Sequence, residues 1–113
     1  MNEQGQILPG TLDLLILKAV SLGPLHGYGV LLRIGQISGQ ALLIEQGALY
    51  PALFRLVRQG LLKANWGVSE NNRKAKFYEL TDGGRKRLGE ETEGWNRLAT
   101  AMSAALGART EEI

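Results

Sequence analysis

The sequence predicts an α+β fold that is mostly helical, in a single chain of 113 residues. Two apolar stretches with helical spacing open the chain, and a third, residues 47–59, carries arginines on one face and leucines on the other. A basic hairpin and a long helical stretch follow. A helix followed closely by a basic hairpin is the arrangement of a winged helix-turn-helix, here with a long C-terminal dimerisation helix.

The first helix is expected over residues 11–22, after a helix start at Pro9, Gly10 and Thr11. Residues 1–8 are polar and are expected to be frayed. Apolar residues cover nearly the whole circumference of this helix, which is typical of a helix buried on more than one side. In a chain this small, we expect the second side to face another subunit.

Gly23 and Pro24 end the first helix, and the second is expected from residues 25–27 to about residue 37. Its apolar residues have helical spacing and are expected to form a core stripe: Tyr28, Val30, Leu31, Ile34 and Ile37. Ser38 and Gly39 end it. Residues 41–44 are then either a brief strand or an extended link.

Pro51 constrains the third helix, because proline is tolerated only in the first turn of a helix. The helix is therefore expected to begin near Gly47, with Tyr50 on its exposed N-terminal part. Its inner stripe is expected to be Leu49, Leu53, Leu56 and Val57. Gly60 has the position of a C-terminal cap.

Two strands are expected over residues 61–68 and 73–80, joined by a turn at Glu70, Asn71 and Asn72. Lys74 and Lys76 share a strand face with Tyr78, so the hairpin tip is expected to extend beyond the core while its base is buried.

Thr81 is expected to cap the last helix, residues 82–106, which contains four glycines and so needs tertiary support. Its apolar residues recur at threes, fours and sevens along one side: Leu88, Trp95, Leu98, Met102, Ala105 and Leu106. We therefore expect two parts, a DNA-binding domain over residues 1–80 and a dimerisation helix over residues 81–113.

The composition excludes several classes of function. The chain has no cysteine and a single histidine, His26, so neither disulfides nor a metal site are expected, and no cofactor. The longest apolar run, residues 12–22, is too short and too charged to span a membrane, and no signal peptide is evident. We expect a cytoplasmic protein that is not an enzyme, since no constellation of catalytic residues is present.

The basic charge is concentrated in one third of the chain. The net charge is +2, but residues 55–76 hold six basic residues and one acidic residue, a balance of +5. Residues 81–113 hold five basic and six acidic residues, a balance of −1. A localised basic segment indicates nucleic-acid binding, although a solvated surface with unevenly placed lysines is the alternative.

Several short motifs, in order, resemble the PadR family of bacterial transcriptional regulators. They are LHGYG at 25–29, GALYPAL at 47–53, RL at 55–56, GLL at 60–62, NRKAKFY at 72–78 and LT at 80–81, with Gly84. The resemblance covers roughly residues 8–106. It implies a homodimeric repressor whose first and last helices form the dimer and whose third helix enters the major groove. In some short members an aromatic ligand lies between paired tryptophans at the dimer centre. Ala48 departs from the family, which usually has Thr or Ser there.

The candidate DNA contacts lie at the helix starts and on the hairpin: Tyr28, Gln46, Gly47, Tyr50, Arg55, Asn72, Arg73, Lys74 and Lys76. Tyr50 has a hydroxyl for a phosphate, or it is a half-buried tyrosine bonded to backbone. Gln46 either reaches a base edge or is solvated. Tyr28 is a core residue, a phosphate contact or both. The wing cations contact phosphates or the minor groove, or they only solubilise an exposed hairpin. Arg55 and Arg58 follow the DNA backbone, or they are solvated helix residues, and Arg55 is favoured because it lies nearer the helix start.

The expected dimer interface comprises Leu14, Leu17, Leu88, Trp95, Leu98, Met102 and Leu106. Trp95 either fills this interface or stacks a planar aromatic effector, with Glu91 one turn earlier as a partner for a cationic one. The sequence thus predicts a homodimeric DNA-binding regulator of a pseudo-palindromic operator, most simply a repressor, that a small aromatic effector releases. The alternative is a winged-helix module that binds protein without specific DNA binding.

Overall fold

The structure, a computed structural model, describes residues 10–113; the segment 1–8 that is expected to be frayed, together with residue 9, lies outside the described part. The helices are α1 Thr11–Ser21, α2 Gly27–Ile37, α3 Gln46–Arg58 and α4 Asp82–Leu106, followed by a short 3₁₀ helix, Thr110–Glu112. The strands are β1 Leu25–His26, β2 Leu62–Val68 and β3 Lys74–Leu80. The predicted α+β winged helix-turn-helix with a long C-terminal helix is confirmed.

The sheet is antiparallel with the order β1-β3-β2, so β3 lies in the middle. Leu62 pairs with Leu80 at the base of the β2–β3 hairpin, and Val68 pairs with Lys74 near its tip. Strand β1 was not predicted, because two residues are too short to show a strand pattern. Residues 41–45 form an extended link rather than a strand.

His26 ends β1 and caps α2. Its Nδ1 accepts a hydrogen bond of 3.1 Å from the backbone N–H of Gly29, which is why the helix starts at Gly27 rather than earlier. The imidazole also packs edge-to-face on Phe77, with ring centroids 5.6 Å apart. Helix α2 thus begins at the last residue of the expected start, 25–27, and residues 25 and 26 form the strand and the cap.

The core lies between α1, the inner faces of α2 and α3, and the base of the hairpin. Its fully buried side chains are Ile16, Leu17, Val30, Ile34, Leu49, Leu53, Leu56 and Leu62. Helix α1 packs against α2, α3, α4 and β3, so most of its apolar circumference is used within the protomer. The predicted core stripe of α2 was wrong at Tyr28 and Ile37, because both side chains are exposed.

Pro51 lies in the second turn of α3, because the helix begins at Gln46 and not at a later residue. The expected start near Gly47 is therefore within one residue of the structure, although the premise that Pro51 lies in the first turn was wrong. The missing N–H of Pro51 leaves the carbonyl of Gly47 without its helical donor. This is tolerated because Gly47 and Pro51 are both exposed to solvent.

A compact junction joins α3, β2 and α4. Gly60 has φ 76°, and the N–H groups of Gly60 and Leu61 donate to the carbonyls of Val57 and Leu56 in a Schellman motif. The Thr81 hydroxyl donates to the Gly60 carbonyl at 2.6 Å and accepts from the N–H of Gly84 at 2.9 Å. The predicted caps at Gly60 and Thr81 are therefore in place.

Candidate nucleic-acid interface

One exposed face of α3 carries four side chains spaced four residues apart, Gln46, Tyr50, Phe54 and Arg58, which we call the α3 row. Residues four apart are neighbours on a helix surface. Tyr50 is 45% exposed and Phe54 is 65% exposed. The Arg58 guanidinium lies 5.8 Å from the centre of the Phe54 ring. Because the opposite face is buried in the core, the row is available to a partner.

The first turn of α3 leaves open space on this face. Gly47 is exposed, and a Cβ added to it would meet no atom within 4 Å, so it leaves open space beside Gln46. The acidic Glu45, also exposed, precedes this turn as the N-cap residue.

Tyr50 is held by contacts on its inner side. A Cβ added to Gly27 would lie 2.6 Å from Cε1 of Tyr50 and 2.9 Å from its hydroxyl oxygen, so the ring packs on the bare backbone at the start of α2. Burial, and to a lesser extent the neighbouring Tyr50, raises the pKa of Tyr78 above its ordinary value of 10.0. Tyr50 is thus partly packed and partly exposed.

Arg55, which was expected as a DNA contact, forms an ion pair within the protomer. Its guanidinium Nη2 lies 2.5 Å from Oδ1 of Asp13 on α1. The side chain is half-exposed, but its charge is compensated and it links α3 to α1. The structure therefore does not bring Arg55 into the α3 row, whereas the neighbouring cation Arg58 lies within it.

The hairpin carries a second candidate surface. Trp66 on β2 is 64% exposed and pairs with Lys76 on β3. The ammonium groups of Lys74 and Lys76 lie 5.4 and 5.6 Å from the centre of its ring, within the range of cation–π attraction. We call Trp66, Lys74 and Lys76 the wing cluster. Its lysines were predicted, whereas Trp66 was not assigned a role.

The hairpin turn holds the other predicted wing residues. Asn72 has φ 60°, and its N–H donates to the Ser69 carbonyl at 2.9 Å. The Arg73 carbonyl accepts from the N–H of Ser69 at 2.8 Å. Arg73 is exposed beside Lys74, so the turn presents a run of basic side chains at the tip of the wing.

Two residues of these surfaces were given no site role by the sequence analysis, Phe54 and Trp66, while Arg58 was considered as a backbone contact but ranked below Arg55. Spacing alone gave a signal for Phe54, because it continues the four-residue row from Gln46 and Tyr50. The signal for Trp66 was its pairing with Lys76 across the hairpin, which depends on the strand register. Tyr28, expected as core or phosphate contact, is half-exposed and outside the core.

A second concave site lies between the start of α1 and the middle of α4. The groove measures about 380 Å³ and is lined by Gly10, Thr11, Leu14, Glu90, Glu91, Gly94, Trp95 and Leu98. Trp95 is 43% exposed, and Leu98, Met102 and Leu106 are exposed further along α4. Leu88 packs against the core. Leu17, expected at a dimer interface, is 1% exposed and belongs to the protomer's own core.

Two kinds of site were not found among residues 10–113. No group of three or more His, Asp or Glu side chains in that range could hold a metal ion. In the same part of the chain, none of the helices combines the length and apolar character needed to cross a membrane.

Comparison with known proteins identifies relatives. A 37.1 kDa protein of transposon Tn4556 from Streptomyces fradiae is 38% identical over 87 residues, which is 77% of this chain but 24% of that protein. The crystal structure of a PadR-like transcriptional regulator from Bacillus cereus has a TM-score of 0.79 at 26% identity and covers 93% of this chain and 100% of that one. Bacillus subtilis PadR in complex with operator DNA has a TM-score of 0.66 at 25% identity, covering 74% of this chain and 46% of that one.

The family model agrees with these relatives. Residues 16–90 match the transcriptional regulator PadR-like family, and they span α2, α3 and the hairpin with parts of α1 and α4. The match includes the α3 row and the wing cluster. This chain therefore belongs to the PadR-like family of transcriptional regulators.

Proposed function

We propose that this chain is a homodimeric repressor that binds a specific, pseudo-palindromic operator in double-stranded DNA. The observation that carries the proposal is the α3 row, which leaves polar, aromatic and cationic groups exposed on a helix whose other face is fully packed. The operator complex of Bacillus subtilis PadR supports DNA as the partner.

In the proposed complex, the two α3 helices enter successive major grooves about 34 Å apart, as in other dimeric helix-turn-helix proteins. Gln46 pairs with a base edge, because a glutamine amide can donate to and accept from adenine. Tyr50 donates to a phosphate oxygen, which fixes the position of α3 without reading sequence. The wing cluster, with Arg73, contacts the flanking backbone.

We further propose that two copies associate through α4 and the start of α1. The exposed apolar seam Trp95, Leu98, Met102 and Leu106 supports this interface, since such a seam on a helix favours pairing with another helix. Leu14 lies at the edge of the same groove. In a two-fold dimer a residue near the axis meets its own copy, so two Trp95 rings would face each other.

A small planar aromatic effector is proposed to bind this groove and to release DNA by changing the separation of the α3 helices. Glu90 and Glu91 line the groove with Trp95, so a cationic effector is favoured. Titrating planar cationic dyes while following tryptophan fluorescence tests this. Trp95→Phe should abolish the response, whereas Trp66→Phe should preserve it. Absence of quenching in the wild type at high micromolar dye would remove the effector from the proposal.

The DNA-binding proposal is tested by gel shift with a fragment from just upstream of the gene and a scrambled fragment of equal composition. We expect at least a thousandfold preference for the upstream fragment, the low end for specific binders. Gln46→Ala should relax preference at particular bases, while Gln36→Ala, an exposed glutamine on α2, should leave the preference unchanged. Equal affinity for both fragments would instead support a protein-binding module.

A further inference from the structure

Phe54 is an apolar side chain that the protomer does not use. It is 65% exposed in the middle of the α3 row, while its neighbours Leu53 and Leu56 are buried to 1% exposure or less. The core stripe of α3 is therefore complete without it. The Arg58 guanidinium, which is itself exposed, lies 5.8 Å from the centre of the Phe54 ring.

The surroundings of Phe54 favour an anionic partner with apolar groups. Helix α3 contains two arginines and no acidic residue, and Tyr50 and Arg58 lie one turn away on either side. An apolar ring between a phenol and a guanidinium is poorly matched to a purely aliphatic surface. It suits the major groove of DNA, where phosphates flank base edges and thymine alone among the bases presents a methyl group.

We infer that Phe54 reads the C5-methyl group of a thymine, so that each operator half-site contains one thymine that is recognised by apolar contact. This inference rests on the proposed DNA binding and adds a specificity-determining residue to it. Gln46 and Phe54 are eight residues apart, so their side chains are separated by about 12 Å along the helix axis. Their readouts therefore fall on different base pairs of one half-site.

The Arg58 guanidinium lies close to this contact, 5.8 Å from the centre of the Phe54 ring and within the range of cation–π attraction. Its N–H groups can bond a phosphate or a guanine at the same time, since attraction to a ring face and in-plane hydrogen bonding use different directions. Phe54 and Arg58 are thus expected to act as a pair at neighbouring positions.

The test uses the operator fragment and replaces its thymines one at a time by deoxyuridine, which lacks only the methyl group. For the wild type, we expect one symmetry-related pair of positions at which affinity falls about fourfold, because burying one methyl group is worth roughly that factor. For Phe54→Ala, thymine and deoxyuridine should bind equally at those positions. Binding is measured by fluorescence anisotropy at fixed salt.

Ile37→Ala is the matched control, because Ile37 is also an exposed apolar residue but lies at the end of α2. It should keep the full fourfold sensitivity. Phe54→Ala should melt like the wild type, since the side chain is outside the core. The inference is overturned if no thymine of the operator is sensitive in the wild type, or if Phe54→Ala keeps the sensitivity. If the wild type shows no preference for the operator over scrambled DNA, the proposed function itself is overturned.

Discussion

At two glycines of this chain, a single added Cβ atom would block a close packing contact. A Cβ on Gly84 would lie 2.0 Å from the carbonyl oxygen of Leu61, and a Cβ on Gly27 would lie 2.6 Å from the Tyr50 ring. Gly84 lets the start of α4 approach Leu61 at the junction of α3 and β2, and Gly27 lets Tyr50 pack at the start of α2. Both requirements depend on tertiary contacts, so the sequence pattern alone did not assign them.

Replacing Gly84 by alanine should therefore destabilise the protein, although alanine is the better helix former. The added carbon collides with backbone that cannot rotate away, and overpacking of this kind typically costs about 1–3 kcal/mol. Gly83→Ala is the control, because its nearest neighbour would be 3.7 Å away, an ordinary contact. Urea unfolding of both variants measures the difference. Equal stability of the two would contradict the close approach of α4 to Leu61.

The buried Tyr78 predicts a loss of stability at alkaline pH. Its pKa is raised, first by burial and then by Tyr50, so the neutral phenol is favoured in the folded state. This contribution is fully present below the unfolded pKa of about 10 and is lost as the pH rises through the folded value. Tyr78→Phe should weaken the decline in unfolding free energy above about pH 10 and leave the slope between pH 7 and 9 unchanged. An unaltered alkaline slope in the variant would contradict it.

At the scale of elements, the sequence predicted most of the fold because the helices are long and their apolar spacing is regular. The bounds of α2, α3 and α4 were within two residues of those in the structure. The two-residue β1 had no pattern to detect. Pro51 lies in the second turn of α3 rather than the first, and this is tolerated because Gly47 and Pro51 are exposed to solvent. For the candidate site, Tyr50 and the wing lysines were found from residue type. Phe54 could be assigned only from its exposure in the structure, and Trp66 only from the strand register.

The wing should contribute affinity without sequence preference. Changing Arg73, Lys74 and Lys76 together to alanine should weaken binding to all DNA sequences. The slope of log affinity against log salt should fall by about 0.9 for each phosphate that the variant no longer neutralises. The matched control changes Arg85, Lys86 and Arg87, three exposed cations of α4, and removes the same charge. A wing variant with the wild-type affinity and salt slope would exclude the wing from the DNA interface.

At the scale of the whole molecule, α4 is the least covered of the four α-helices. Beyond Leu88 most of its apolar residues are exposed, and such a helix with four glycines gains little stability from its own propensity. A second copy would cover Trp95, Leu98 and Met102 and would support the helix. Leu17 of α1 is buried in the protomer's own core, so this part of the apolar surface of α1 is not available to a second subunit. The interface is therefore expected to depend more on α4 than the sequence suggested.

Sedimentation equilibrium at micromolar concentration should give twice the chain mass of 12.3 kDa. Leu98→Glu with Met102→Glu should give a monomer, because four like charges would face each other across the interface. Leu32→Glu, at an exposed apolar position of α2, should remain dimeric. A wild-type monomer at these concentrations would contradict the proposed dimer.

The most direct test of sequence-specific recognition by two α3 helices is a footprint of the wild-type protein on the upstream fragment, read on both strands at base resolution. We expect two protected major-groove segments, related by approximate two-fold symmetry, whose centres lie about 34 Å or one helical turn apart. A single protected segment, or uniform weak protection along the whole fragment, would contradict the account.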